Sequence, residues 1–113
     1  MYIKKDQTIR QVLSNVRGGP GEMIRLDWAE TLPPHVKVMA TIILEPGSGI
    51  GYHTHDGETE VFYILEGELE IDDNGTVHTV RSGDIVVTGG GDGHSAMNTS
   101  TTTASMIAVI TND

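Results

Sequence analysis

The stretch GYHTHDGETEVFYILEG (51–67) places two histidines and a glutamate in a segment that otherwise has the composition of a β-strand. His53 and His55 are two residues apart, and Glu60 follows them closely. Alternate side chains of a strand point to the same face, so the two imidazoles are predicted to project together. Two imidazoles on one face are costly to bury without a binding partner. The sequence around this stretch indicates what that partner is.

The length and composition of the chain predict one globular domain spanning residues 1–113. A chain of 113 residues can form one modest core but is too short for two. Hydrophobic residues make up 37 % of the sequence and aromatic residues only 4 %, so the core must consist mainly of Val, Ile, Leu and Met.

The charge of the chain excludes several classes of partner. A net charge of −9 disfavours binding to phosphate backbones and anionic lipids, so neither a nucleic acid nor a membrane is expected as a partner. The absence of cysteine excludes thiolate metal sites and a cysteine nucleophile. The N-terminus lacks an apolar stretch of signal-peptide length, and the apolar run at 38–44 is too short to cross a bilayer. A cytoplasmic protein with a small-molecule ligand is expected.

Short β-branched segments separated by turn residues predict an all-β sandwich or barrel. Asn74-Gly75, between two alternating segments, is a strong hairpin signal. Near the N-terminus, Met1–Lys4 is predicted as a first strand. The spacing of the apolar residues in Thr8–Val16 predicts a short helix, with an edge strand as the alternative.

Four residues have the chemistry of a metal site: His53, His55, Glu60 and His94. Imidazole nitrogen and carboxylate oxygen are ligands that divalent first-row metals accept without thiolate. An ion that prefers octahedral coordination keeps two adjacent places beside four protein ligands, which suits a chelating carboxylate, keto-acid or enediol. A lone buried histidine more often has a backbone partner, so the inference depends on the whole pattern.

Two motifs in the sequence resemble those of the cupin family. Residues 47–67 match the first motif, G-x5-H-x-H-x4-E-x6-G, at every fixed position. Residues 83–98 match the second, G-x5-P-x-G-x2-H-x3-N, except that Gly89 stands where the family has proline. Gly89 begins a GGGDG loop. Either this loop needs glycine for a positive φ or for close approach to neighbouring backbone, or the loop is mobile.

The resemblance implies an all-β cupin jelly-roll barrel (a double-stranded β-helix) that holds one divalent ion, Mn, Fe, Ni or Zn, on His53, His55, Glu60 and His94. It also implies self-association, and we expect a homodimer that uses N-terminal residues such as Tyr2 and Ile3. Strand parity gives four candidate residues of the ligand pocket: Met39, Thr41, Phe62 and Met106. The opposite parity is left open for the strand that contains Met39 and Thr41 and for the last strand.

The resemblance supports two hypotheses about function. The first is an enzyme that acts on a small oxygen-rich acid, such as an oxalate-decarboxylase-like lyase or a dioxygenase, or one that isomerises its substrate. The second is a metal-holding binding or sensor protein without turnover. No residue is assigned as catalytic: Asp56 and Glu58 follow the histidines but can point outward, Tyr52 has the wrong parity, and Arg25 depends on where its strand ends.

Overall fold

The computed structural model describes residues 1–113 and consists almost entirely of β-strands. Two short 3-10 turns, Lys5–Gln7 and Val16–Gly18, are its only helical segments. No helix has the length and apolar character that are needed to span a bilayer. The strands, β1 to β10 in chain order, are Ile9–Ser14, Glu22–Asp27, Val36–Leu44, Gly49–Thr54, Glu58–Glu66, Glu68–Asp73, Thr76–Arg81, Ile85–Gly89, Gly93–Met97 and Ala104–Asn112.

The strands form two antiparallel sheets. The six-stranded sheet has the order β1-β2-β3-β10-β5-β8, and the four-stranded sheet has the order β4-β9-β6-β7. Neighbouring strands are often distant in sequence, because the chain passes repeatedly from one sheet to the other. The predicted all-β jelly roll is confirmed.

The core lies between the two sheets and follows the alternation of the strands. In β6, Leu69 and Ile71 are buried while Glu70 is exposed. In β5, Phe62 and Ile64 face the core in the same way. These side chains belong to one cluster of thirteen buried apolar residues, in which Phe62 is the only aromatic ring.

The hairpin predicted at Asn74-Gly75 joins β6 to β7. Both turn residues have positive φ, 48° and 98°, as a type I′ turn requires. The Gly75 N–H also donates to Asp72 Oδ1 at 2.8 Å, which fixes the turn.

Asn98, the last fixed residue of the second motif, ties loops together in the core. Its side chain is 1 % exposed. The amide nitrogen donates to the carbonyls of Leu44 at 2.8 Å and Thr102 at 2.9 Å. Its oxygen accepts from the backbone N–H and hydroxyl of Ser100. The role of Asn98 is therefore structural.

The N-terminal predictions need correction. The helix predicted over Thr8–Val16 is wrong, and the edge-strand alternative is right, because β1 pairs with β2 from Ile9 to Ser14 at the edge of the six-stranded sheet. Ladder hydrogen bonds outweigh the weak helical preference of so short a segment. The first strand predicted at Met1–Lys4 is also wrong, since these residues belong to no strand.

Candidate metal centre

The four candidate ligands come from both sheets. In the four-stranded sheet, β4 pairs with β9 so that His53 lies opposite His94. Glu60 lies on β5 of the six-stranded sheet. His55 follows β4, where its backbone N–H donates to the Asp92 carbonyl at 2.9 Å. Folding of the sandwich thus brings together residues that are up to 41 positions apart in the sequence, 53 and 94.

Their donor atoms converge. One donor atom from each of His53, His55, Glu60 and His94 lies within 4.8 Å of all the others. His55 Nε2 and His94 Nε2 are 3.1 Å apart, and Glu60 Oε1 lies 3.1 Å and 2.9 Å from them. The three rings meet edge to face, with centroids 4.8 Å apart. His55, Glu60 and His94 are buried, and His53 is half-buried.

The other ring nitrogens of the histidines orient the cluster. His53 Nδ1 lies 2.8 Å from the Gly51 carbonyl, and His55 Nδ1 lies 2.6 Å from Glu58 Oε2. A carbonyl and a carboxylate can only accept, so both Nδ1 atoms carry the proton and both Nε2 atoms present a lone pair. His94 Nδ1 lies 2.8 Å from the hydroxyl of Thr88, which can accept in the same way.

This arrangement fits a divalent cation. Lone pairs and a carboxylate oxygen held about 3 Å apart repel one another unless a proton or a cation lies among them. A divalent ion attracts all four donors, and three imidazoles with one carboxylate form a donor set that several first-row metals accept. The hydrogen bonds to the outer ring nitrogens are those that metal-bound histidines usually make.

The electrostatic environment keeps His53 neutral. Burial is the main cause that lowers the pKa of its imidazole below the usual 6.5. The hydrogen bond to the Gly51 carbonyl acts in the opposite direction, and electrostatic interactions with His94, His55 and Arg17 add to the lowering of the pKa. His53 therefore offers its lone pair at neutral pH without first losing a proton.

Glu58 supports the cluster from outside it. Its Oε1 accepts from Lys37 Nζ at 2.5 Å, and its Oε2 accepts from His55 Nδ1 at 2.6 Å. These two bonds, with Lys37 first, lower the pKa of Glu58 below 4.5, so its carboxylate is ionised at neutral pH. Glu58 does not point outward: its side chain is 16 % exposed and lines the cavity beside the histidines.

A cavity of about 230 Å³ opens beside His53, His55 and Glu60. Pockets for drug-sized ligands usually measure ~300–1,000 Å³, so this cavity suits a ligand of few atoms. One wall is apolar and includes Ile42 and Ile50. The remaining polar side chains of its lining are Arg17, Arg25, Lys37 and Glu58.

The residues predicted for the pocket lie elsewhere. Phe62 and Met106 are buried in the core rather than in the cavity wall. The ring of Phe62 stacks on the imidazole of His94, with centroids 4.7 Å apart and planes 6° apart, so it packs behind a candidate ligand.

Met39 and Thr41 lie on the face of β3 that points away from the site. Val38 and Ile42, with the opposite parity, line the cavity. The Thr41 hydroxyl accepts instead from Trp28 Nε1 at 3.0 Å. The register of β3 with its neighbouring strands decides which of its side chains point inward, and no local signal in the sequence fixes that register.

Sequence reasoning missed Arg17 and Lys37, both of which line the cavity. Arg25, considered as a carboxylate clamp, does reach it, while Tyr52 and Asp56 are exposed and point away. One signal in the sequence relates to Arg17. Glycines of β4 leave room for the turn that carries it, since a Cβ at Gly51 would lie 2.0 Å from the Arg17 carbonyl oxygen.

Close approach explains the glycine at position 89. This residue ends β8 opposite Thr59, and a Cβ there would lie 2.7 Å from Thr59 Oγ1. Gly90 and Gly91, which follow, have φ of 65° and 90°. The GGGDG loop therefore uses its glycines for both of the backbone reasons that the sequence suggested.

Comparison with known proteins agrees with this geometry. Residues 40–110 match the model of the family described as "Cupin domain". The chain is 38 % identical over 112 residues to a protein named "Oxalate-binding protein" from Thermotoga maritima, covering 97 % of this chain and 93 % of that protein.

Solved structures show the same fold. A crystal structure described as a "predicted oxalate decarboxylase" from Thermotoga maritima matches with a TM-score of 0.93 and 35 % identity over 100 % of both chains. An RmlC-like cupin from Shewanella frigidimarina matches with a TM-score of 0.79 over 99 % of this chain and 90 % of that one, and at 18 % identity it supports the fold alone. With the family match covering well over half of its residues, this chain belongs to the cupin family.

Proposed function

We propose that this cupin holds one divalent metal ion on His53, His55, Glu60 and His94 and binds a small dicarboxylate, with oxalate as the first ligand to test. The observation that carries the proposal is the convergence of three ring nitrogens and one carboxylate oxygen within 4.8 Å. The small cavity beside them, with cationic side chains in its wall, supports an anionic ligand. The relative named "Oxalate-binding protein" supports the choice of oxalate.

Within this proposal the chain's residues have distinct tasks. The bound ion would supply a Lewis acid that coordinates carboxylate oxygens. Glu58 orients the His55 ring and also accepts from Lys37. Ile42 and Ile50 provide an apolar wall that limits the ligand's size. Mn, Fe, Ni and Zn all accept this donor set, so the metal available in the cell determines much of the loading.

The geometry favours binding over turnover. Decarboxylation of oxalate to formate and carbon dioxide adds a proton to carbon, which requires a proton donor beside the ligand. Each carboxylate that lines the cavity has another role: Glu60 is a candidate ligand, and Glu58 is ionised and hydrogen-bonded to Lys37 and His55. Decarboxylation is the second candidate because of the structural relative's description. Dioxygenation and isomerisation stay predictions.

Elemental analysis followed by calorimetry tests the proposal. We expect about one divalent ion per chain and oxalate binding that requires the ion. A variant with His55→Ala and His94→Ala should lose both while keeping the β-sheet circular dichroism signal. Metal-loaded protein that binds no oxalate would contradict the choice of oxalate as the ligand. Protein that takes up no metal even after reconstitution would contradict the metal site. Formate release under the same conditions would instead favour oxalate decarboxylation, the second candidate function.

A further inference from the structure

Arg17 differs from the other cations of the cavity because it has no partner. Arg25 Nε lies 2.9 Å from Asp27 Oδ1, and Lys37 Nζ lies 2.5 Å from Glu58 Oε1. Arg17 lines the same cavity as an exposed residue, and its side chain makes no ion pair. Its positive charge acts on His53, whose pKa it helps to lower. The cavity thus contains one uncompensated guanidinium.

Arg17 has a backbone conformation that is unfavourable for a residue with a side chain. Arg17 has φ 52° and ψ 31°, the left-handed region that an L side chain rarely adopts. The turn is pressed against β4, where a Cβ at Gly51 would lie 2.0 Å from the Arg17 carbonyl oxygen and a Cβ at Gly19 would lie 2.5 Å from the Gly49 carbonyl oxygen. Unusual backbone held in place by close packing is found disproportionately at functional sites.

The charges around the cavity favour a doubly charged ligand. The pairs of Arg25 with Asp27 and of Lys37 with Glu58 are each neutral. A divalent ion with Glu60 leaves about +1, and Arg17 brings the total to about +2. A dianion would neutralise this charge, whereas a monoanion would leave half of it, in a chain whose net charge is otherwise −9.

We propose that Arg17 selects a dianionic ligand over a monoanionic ligand of the same shape. This inference depends on the proposed function, because it concerns the anion that the metal-loaded site takes. Arg17 acts as a specificity-determining residue at the mouth of the cavity, where its guanidinium binds a carboxylate group that a neutral amide cannot replace.

Oxalate and oxamate test this selection. Oxamate has the shape of oxalate, but an uncharged amide replaces one carboxylate. Calorimetry of metal-loaded protein should show a preference for oxalate that Arg17→Gln reduces by about tenfold, as expected for a hydrogen-bonded charge pair. Arg17→Lys should restore part of the preference. Arg10→Gln removes the same charge from an exposed position that does not line the cavity, and it should leave the preference unchanged.

The outcomes separate the two proposals. Tight oxalate binding with the same oxalate-to-oxamate ratio in Arg17→Gln as in the natural sequence would overturn the role of Arg17 and leave the proposed function in place. An equal loss of preference in Arg10→Gln would also overturn it, since net charge would then be the cause. No binding of either anion by the metal-loaded natural protein would overturn both proposals.

Discussion

Replacing Glu58 with glutamine tests whether the cluster is held ready for a metal. The carboxylate accepts from His55 Nδ1 at 2.6 Å and so keeps the proton on that atom and the lone pair on Nε2. Glutamine has nearly the same shape, but its amide lacks the charge and can turn a donor toward the ring. The variant therefore changes the chemistry of one hydrogen bond with little change in packing.

The expected magnitude follows from that bond. Hydrogen bonds to charged groups contribute about 1.5–3 kcal/mol. Since about 1.4 kcal/mol corresponds to a factor of ten, metal affinity should fall by roughly 10- to 150-fold. This range agrees with the losses of about 10- to 100-fold that follow removal of such partners in other metal sites.

Competition with a chromophoric chelator measures the affinity directly. Glu68→Gln is the control, because Glu68 is a half-buried carboxylate far from the cluster that pairs with Arg81 Nε at 3.1 Å in the β6–β7 hairpin. Glu58→Gln also releases Lys37, whose charge repels a cation. A double variant with Lys37→Gln removes that repulsion and should keep most of the loss. Unchanged affinity in Glu58→Gln, or full recovery in the double variant, would refute the orienting role of Glu58.

Three further predictions concern stability. A divalent ion at about 100 times its dissociation constant should add about 2.7 kcal/mol to the free energy of unfolding and raise the melting temperature by roughly ten degrees or more. Scanning calorimetry measures this shift. No shift, in protein shown to be metal-free at the start, would count against the site. Without metal, the free energy of unfolding should fall as the pH drops below about 6.5, because the lowered pKa of His53 makes the unfolded chain bind more protons there than the folded chain. Urea titrations should show that this free energy depends less steeply on pH in His53→Gln. An equal slope in the variant would exclude His53 as the cause. Asn98→Ala should cost roughly 2–4 kcal/mol in urea unfolding, because it leaves the buried Leu44 carbonyl without its donor, and a cost below ~1 kcal/mol would contradict the structural role of Asn98.

The four candidate ligands could be chosen from the sequence because the two motifs fix their spacing, although the donor atoms converge only when the two sheets pack together. Strand parity and a short connection relate His53, His55 and Glu60, and the spacing of the second motif adds His94. The hairpin at Asn74-Gly75 was predictable for the same reason, since two residues determine the turn.

The features that the sequence did not predict depend on contacts between segments that are distant along the chain. The pattern of Thr8–Val16 is helical by spacing, but β2 supplies ladder hydrogen bonds that make it a strand. The inward face of β3 depends on its register with β2 and β10, so Met39 and Thr41 were assigned to the wrong side. Arg17 reaches the cavity only because β4 has glycine where the turn packs.

The division of the candidate ligands between the two sheets determines the stage of folding at which a metal would act. Glu60 belongs to the six-stranded sheet, and His53 and His94 belong to the four-stranded sheet. In the proposed site, a complete coordination sphere would therefore form only after the two sheets have docked, and the ion would not guide the steps before docking. Contacts that form after the transition state mainly slow unfolding. Metal supply should thus set the lifetime of the folded chain far more than the speed at which it folds.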